Sequence, residues 1–447
     1  MPRVGRLFGT DGVRGLAGSE LTKELAQGLG RAAVVVLGRH GEGRPTFVVG
    51  RDPRSSGVWI EDALVEGIAR AGGDVVLAGV EPTPAVAFLT VDLGAASGVV
   101  ISASHNPPAY NGIKFFAGDG MKLPDALEDE IEDVLRRGGE ALPDAEQGSV
   151  RPIGEGTERY LEHLISAAEA RLDGLRVVVD CANGAASTLA PELLRRLGAD
   201  VVAIHADPDG ENINDGCGAL HPDVVAAEVV RLGFDAGVSH DGDADRALFA
   251  DGAGNVLDGD HVLAASAIAM RDAGALPGGA VVATVMSNLG LIVAMREAGI
   301  DVVQTKVGDR YVLEEMERCG AMLGGEQSGH VIFREHATTG DGLLTAVRFL
   351  SLAADRGVTL GELASVMRRY PQVLLNVHVA DREALADAAA VEEAVAVAEA
   401  QLGGEGRVLV RPSGTEPLIR VMVEAATETL AERHAAAIAD VVRATLG

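Results

Sequence analysis

At 447 residues, with 47% hydrophobic and 23% charged side chains, the chain is too long for one ordinary core and has the balance of a folded protein rather than a disordered one. A formal net charge of -28 argues against generic binding to nucleic acid or to an anionic membrane, but not against a small anion held in a local basic pocket. No apolar run approaches the about 18 residues of a membrane span and no charged leader with a small-residue cleavage site is visible, so a cytoplasmic location is expected.

With 57 glycines and only 3% aromatics, the cores must be filled by Val, Leu, Ile and Ala. A helix is predicted near residues 20 to 38, then strand-like TFVVGRD, a helix over about 57 to 71 and strand-like DVVLAGV. Next, Gly98 to Ile101 reads as a buried strand running into Ser102-Ala103-Ser104-His105-Asn106-Pro107-Pro108. The β-branched run favours a strand and the double proline ends it, so the polar group stands on a loop at a strand end, where open α/β folds keep their sites.

The pattern restarts at GLRVVVDCANGAAS, whose helix should bury Leu193, Leu194 and Leu197, and again at GAVVATVMSNLGLIVAMREAG. After residue 371 the texture changes: an alanine-rich helix over about 384 to 402, two strand-like runs around a polar turn in GRVLVRPSGTEPLIRVMVEA, and a final helix. This predicts an α/β protein of related domains at 1–150, 151–255 and 256–370, with a smaller α+β domain at 371–447. Cys181, Cys217 and Cys319 are odd in number and lack zinc spacing, as expected of a reducing cytoplasm.

In GVSHDGDADRALFADGAG, Asp241, Asp243 and Asp245 alternate after a short apolar segment, with Gly242 to permit a turn. Three carboxylates so close repel unless a cation neutralises them, and hard oxygens suit magnesium; a solvated acidic turn is the alternative. A helix-loop-helix calcium site fits poorly, because Arg246 takes the position that needs glycine and Gly252 that of the closing glutamate. Arg246 suits phosphate oxygens near a metal.

Ser104 precedes His105, but neighbours on an extended backbone face apart, so a relay within the dipeptide is not expected, and no G-x-S-x-G elbow is present. A phosphate on Ser104 could share a cation with the three aspartates and pass to a sugar hydroxyl, with Lys114 as electrostatic support or, alternatively, a snorkelling lysine. VRPSGTEPLIR offers Arg411, Ser413, Gly414, Thr415 and Arg420 around a turn that could cradle phosphate. No Walker arrangement is present, so nucleotide use is not expected. GGEQSGHVIF supplies Glu326, Ser328 and His330, KVGDRYV supplies Gly308, Asp309 and Arg310, and FGTDGVRG supplies Thr10, Asp11 and Arg14. Such loops, one or more per domain, imply a cleft where domains meet.

In this order, FGTDGVRG, ISASHNPPAYNGIKFF, DGDADR, KVGDRYV, GEQSGH and RPSGTEPLIR resemble the alpha-D-phosphohexomutase superfamily and, within it, the bacterial phosphoglucosamine mutases. The resemblance spans nearly the whole chain and implies four domains around a central cleft, three related mixed-sheet α/β domains and a smaller C-terminal α+β domain. It also implies that Ser104 is phosphorylated in the resting enzyme and that Asp241, Asp243, Asp245 and a phosphoserine oxygen hold one Mg2+ per chain. The implied reaction interconverts glucosamine 6-phosphate and glucosamine 1-phosphate through glucosamine 1,6-bisphosphate, a step toward UDP-N-acetylglucosamine and peptidoglycan.

In that reaction Arg14, Lys114, Arg246 and His330 join Ser104 as catalytic residues, Lys114 or His330 handling the proton. Gly308, Asp309, Glu326 and Ser328 would meet the sugar, while Arg411, Ser413, Gly414, Thr415 and Arg420 hold the phosphate that is not reacting. The expected partner is a hexosamine phosphate, bound by a monomer or homodimer without nucleic acid or membrane. Ala244 stands where relatives usually have glycine in GDGDR, but the aspartate spacing is kept and metal binding is expected to survive; Gln327, which separates GEQSGH from the GEMSGH of phosphomannomutase/phosphoglucomutases, bears on the branch. Those enzymes are the alternative, with a non-catalytic, metal-dependent sugar-phosphate binder as the other.

Overall fold

A computed structural model describes residues 6–9, 11–40, 43–138, 146–413 and 417–447. They form four sheets, and the chain divides into two compact units, Met1–Val285 with Ile300–Ser365 and Met286–Gly299 with Val366–Gly447.

The first sheet holds β1 (Val13–Leu16), β2 (Thr46–Arg51), β3 (Asp74–Val80), β4 (Ser97–Ile101), β5 (Tyr110–Ala117) and β6 (Val150–Pro152), in the order β1-β5-β4-β2-β3-β6. β2 is parallel to β3 and β4, whereas β5 is antiparallel to β1 and β4, so the sheet is mixed. Alternation sorts its side chains: Val49, Val99, Ile101 and Phe115 enter one apolar cluster, and Val48, Val100 and Phe116 another. Burial on both faces explains the unbroken apolar run Val99 to Ile101 in β4, and the buried Ser97 donates its hydroxyl to Phe116 O at 2.6 Å.

The second sheet comprises β7 (Arg176–Asp180), β8 (Asp200–Ile204), β9 (Ala236–His240), β10 (Ala247–Asp251) and β11 (Val256–Leu257), ordered β11-β10-β9-β7-β8. β9 and β10 are antiparallel neighbours, which makes the segment from Asp241 to Arg246 the connection of a hairpin. The third holds β12 (Ala280–Thr284), β13 (Asp301–Thr305), β14 (Leu323–Gly325) and β15 (Val331–Phe333), ordered β13-β12-β14-β15, and the antiparallel β14–β15 connection carries Glu326 to His330.

The second unit contains the antiparallel sheet of β16 (Gln372–His378), β17 (Gly406–Pro412) and β18 (Leu418–Ala425), ordered β16-β18-β17, with helices Ala389–Leu402 and Glu428–Leu446 contributing to its core. Helix Leu289–Glu297 also belongs here: Asn288 donates to Glu424 Oε1 at 3.0 Å and the Leu289 N–H to Glu424 Oε2 at 3.0 Å.

The three mixed-sheet α/β domains and the smaller α+β domain agree with the sequence reading, and Leu193, Leu194 and Leu197 are buried as expected. One helix differs. The helix read over 384 to 402 begins only at Ala389, after a 3-10 turn at Glu383–Asp387, because Ala388 (φ -86°, ψ 73°) breaks the spiral. Asp381 accepts the Glu383 N–H at 2.9 Å and so favours the turn. Among the described residues no helix is long and apolar enough to cross a membrane.

Candidate active site

At the end of β4 the chain turns through Ser104, whose φ is 50°. Its N–H donates to Ser102 Oγ at 2.9 Å, and Ser102 Oγ donates to Asp52 Oδ2 at 2.5 Å. Beneath the turn, the wholly buried Arg54 donates to the carbonyls of Ser104 and Asn106 at 2.8 Å each, Pro107 at 2.5 Å and Tyr110 at 3.1 Å, and to Asp52 Oδ2 at 2.9 Å. Asn214 Nδ2 adds bonds to Ser104 O at 2.9 Å and Asn106 O at 3.1 Å. Held this way, Ser104 Oγ donates to Asp241 Oδ2 at 2.7 Å.

His105 corrects the sequence reading. Its Nδ1 lies 3.2 Å from Ser104 Oγ, because the left-handed backbone at Ser104 swings neighbouring side chains together that an extended one would separate. Burial, reinforced by the Arg246 and Arg14 charges, pushes His105 down to about 4, so its imidazole is neutral at physiological pH.

Asp241, Asp243 and Asp245 are all buried, and one carboxylate oxygen from each lies within 4.8 Å of the others. Asp243 Oδ1 and Asp245 Oδ1 have no hydrogen-bond partner. Such orphaned hard oxygens fit a cation. Burial, then the Asp245 and Asp243 charges, raise Asp241 well above the carboxylate range, and burial with Asp243 lifts Asp245 to about 7. Burial acts on Asp243 too, but Thr83, which donates to its Oδ2 at 2.6 Å, together with Lys114, Arg14 and Arg246, holds it below its ordinary value. Arg246 Nε lies 3.7 Å from Asp245 Oδ1 and 3.9 Å from Asp241 Oδ2.

The turn is made differently from expectation. Positive φ falls at Ala244, at 58°, and not at Gly242. Gly242 serves close approach instead: a Cβ there would stand 2.5 Å from Ser104 O.

Lys114, on β5 opposite Val100, pairs with Asp11 Oδ1 at 2.9 Å and Asp309 Oδ2 at 3.5 Å, and Arg14 pairs with Asp11. Although burial opposes it, the Lys114, His330 and Lys122 charges hold Asp309 below the usual carboxylate range. Gly308 N donates to Glu326 Oε1 at 2.9 Å, and Ser328 Oγ to Glu326 Oε2 at 3.4 Å. His330 Nε2 is 4.0 Å from Asp245 Oδ2; both ring nitrogens are buried without a hydrogen-bond partner, and burial lowers the imidazole from its ordinary value against the opposing Asp309 and Glu326 charges. Gln327 turns its amide toward Asp258 Oδ2 at 3.4 Å.

In the second unit Arg411 and Arg420 stand directly opposite each other across β17 and β18. Burial, then the Arg420 charge, lowers Arg411 from its ordinary value, the signature of two cations sharing a face that an anion would relieve. Ser413 is buried, and its carbonyl accepts from Arg382 at 2.7 Å. Thr10, Gly414 and Thr415 lie outside the described residues.

Arg54, Asp52, Thr83 and Asn214 escaped the sequence reading. The signal for the first two was available, since GRDPRSSG is, like VVISASHNPP, a β-branched strand running into a polar loop. Thr83 and Asn214 carried none, the first opening the helix Thr83–Asp92 and the second lying in a turn, until the fold sets them against Asp243 and Ser104.

Four regions match the phosphoglucomutase/phosphomannomutase family: alpha/beta/alpha domain I at residues 5–141, domain II at 158–254, domain III at 258–370 and the C-terminal domain at 374–441. A phosphoglucosamine mutase of Thermobifida fusca (strain YX) is 55% identical over 440 residues, 98% of each chain. The chain belongs to the phosphoglucosamine mutases of this family. Another such mutase, from Frankia casuarinae, is 56% identical over 449 residues, 99% of each chain. The crystal structure of a phosphoglucomutase/phosphomannomutase family protein from Burkholderia thailandensis superposes with a TM-score of 0.83 at 25% identity, covering 98% of this chain and 97% of that one. As a phosphoglucosamine mutase, the chain is an intramolecular phosphotransferase.

Proposed function

We propose that the protein interconverts glucosamine 6-phosphate and glucosamine 1-phosphate through a phosphate carried on Ser104. The observation that carries this reading is the 2.7 Å bond from Ser104 Oγ to Asp241 Oδ2, inside a carboxylate triad with two orphaned oxygens. A pure sugar-phosphate binder has no use for a hydroxyl at that place.

In the forward direction the O1 hydroxyl of glucosamine 6-phosphate attacks phosphorus on phospho-Ser104. The P–O bond to Ser104 breaks, O1 gives up its proton, and glucosamine 1,6-bisphosphate forms. After the intermediate turns end for end, Ser104 Oγ attacks the 6-phosphate, and O6 leaves and takes a proton, so enzyme and proton are both restored. Asp241, Asp243 and Asp245, together with phospho-Ser104, would hold one magnesium ion, which when bound would neutralise charge on the transferring group. Arg246 and Lys114, the latter fixed between Asp11 and Asp309, add positive charge at the same place.

Two imidazoles handle protons: His105, neutral beside Ser104 Oγ, and His330 near Asp245. Gly308, Asp309, Glu326 and Ser328 form the sugar-binding group. Arg411 and Arg420, with Ser413, form a phosphate-binding pair in the second unit.

Serine-phosphorylated protein with magnesium, given equal amounts of glucosamine, glucose and mannose 6-phosphates in separate reactions, tests the reading by phosphorus NMR. Preference for the amino sugar supports it. Faster turnover of glucose or mannose phosphate would move the substrate, and no turnover of any, with Ser104 shown to be phosphorylated, would sink the reading.

A further inference from the structure

A second set of metal-binding side chains lies apart from the aspartate triad. Asp180 ends β7, His205 follows β8, and the two strands are parallel neighbours, with Asp180 opposite Ile204. Cys217 comes from the loop that precedes a 3-10 turn at Gly218–Leu220. One ligand atom from each of the three residues lies within 4.8 Å of the others.

The group is built tightly. Asp180 is fully buried and aimed by two backbone donors, Ala182 N at 3.0 Å to one oxygen and Gly218 N at 3.0 Å to the other, so each oxygen keeps a lone pair. Cys217 is 1% exposed. His205 Nδ1 is sheltered from solvent and stands 3.1 Å from Asp180 Oδ1, yet it makes no aligned hydrogen bond. Ligand atoms around a tetrahedral ion with bonds of about 2.0 to 2.3 Å are separated by roughly 3.3 to 3.8 Å, so three ligand atoms within 4.8 Å of one another are near enough to close on a shared ion with small side-chain adjustments.

The backbone is bent to make the group. Ala182, Asn183, His205 and Asn214 have φ of 53°, 47°, 46° and 59°, a conformation that costs non-glycine residues energy and that clusters at ligand clamps. At Gly218 a Cβ would meet His240 O at 2.6 Å, so the loop closes onto Asp180 only because that residue is glycine.

We propose that Asp180, His205 and Cys217 form a second cation site that takes a thiophilic divalent ion of the zinc class and excludes magnesium. Thiolate and imidazole are poor ligands for magnesium and good ones for zinc, whereas the all-carboxylate triad has the opposite character. On binding, the S–H bond of Cys217 breaks, its proton leaves to solvent and the sulfur lone pair forms the metal–sulfur bond, so affinity rises with pH. Three protein ligands leave a fourth position for water. The bound ion ties the loop carrying Cys217 to the ends of β7 and β8. Asn214, three residues earlier, grips the carbonyls of Ser104 and Asn106, so the ion acts as a clamp on the serine turn.

The test uses the full-length protein, carrying Cys319→Ser to remove the exposed thiol, with magnesium saturating the triad and cobalt(II) added as a spectroscopic zinc analogue. A near-ultraviolet thiolate-to-cobalt charge-transfer band is expected at one ion per chain. It should persist in Asp241→Asn, and both Cys217→Ser and His205→Gln should weaken cobalt and zinc binding at least tenfold. Zinc should slow amide exchange over residues 205 to 218 at least tenfold. No charge-transfer band, or a band unchanged in both Cys217→Ser and His205→Gln, overturns the site. Unchanged exchange on saturation with zinc overturns the clamp.

Discussion

Ser104 Oγ and Asp241 Oδ2 are 2.7 Å apart although 137 positions separate them in the chain. The first belongs to a loop leaving the first sheet and the second to a hairpin of the second sheet, so the bond joins the proposed nucleophile to the candidate cation site within one compact unit. Replacing Ser104 with alanine is expected to abolish phosphoryl transfer, by at least about a thousandfold, because no other group can carry the phosphate. Stability in urea should fall by no more than about 3 kcal/mol, the upper worth of one hydrogen bond to a carboxylate. Activity within tenfold of the parent protein would rule out the serine-bound phosphate.

Arg54 gives the turn its shape. Its guanidinium serves four carbonyls and Asp52 in a fully buried setting, so Arg54→Ala strips a charged donor from each and leaves Asp52 without its buried counter-charge, and should cost about 3 to 5 kcal/mol. Arg54→Lys should rescue little, since one ammonium cannot match the planar fork. Urea titrations of both variants decide it; full stability in the lysine variant would contradict this account.

Ala244 occupies φ 58° and is completely buried. Ala244→Gly relieves about 1 to 2 kcal/mol of strain but gives back a similar amount in chain entropy and lost methyl burial, so stability should stay within about 1 kcal/mol. Ala244→Val forces a β-branched residue into the same conformation and should cost more than about 2 kcal/mol. Thermal melts of the pair provide the comparison.

Glu81 is buried, with Oε1 accepting from Thr157 and Oε2 unpartnered. Burial raises it from 4.5 to about 7, against a smaller lowering by Thr157. Because the folded state holds this proton more tightly than the unfolded one, the stabilising preference is complete below about pH 4.5 and is lost as pH rises through about 7. Glu81→Gln should therefore gain on the parent protein as pH rises, levelling off near about 3 kcal/mol above pH 8. Denaturation at pH 5 and pH 8 reads the difference directly, and an equal offset at both would refute it.

Magnesium should raise the melting temperature, because the triad repels itself when its charge is not neutralised. At a hundredfold excess over Kd the gain is about 2.7 kcal/mol. Asp243→Asn should abolish most of that gain and chelation should reverse it; a magnesium response equal to that of the parent would remove the triad as the site.

Much of this site was legible in the sequence because its chemistry is local. The alternating aspartates, the serine after a β-branched run and the glycine-flanked GEQSGH each announce a polar loop at a strand end within a few residues. The C-terminal arginines were legible for the same reason, since antiparallel pairing of two strands close in the chain places Arg411 and Arg420 opposite each other. Where local signals ran out, the reading failed: His105 was set facing away from Ser104, and Gly242 was credited with the turn that Ala244 makes. Left-handed backbone at a non-glycine residue leaves no mark in composition, because packing imposes it.

By itself the sequence determined which residue types were available, their spacing, and the alternation of strands and helices that yields three mixed-sheet domains and a smaller one. Tertiary structure alone decided which of them meet. Thr83 reaches Asp243, Asn214 reaches the Ser104 turn, and Asp180, His205 and Cys217 converge from three segments, because strand pairing and buried packing fix positions that lie far apart along the chain.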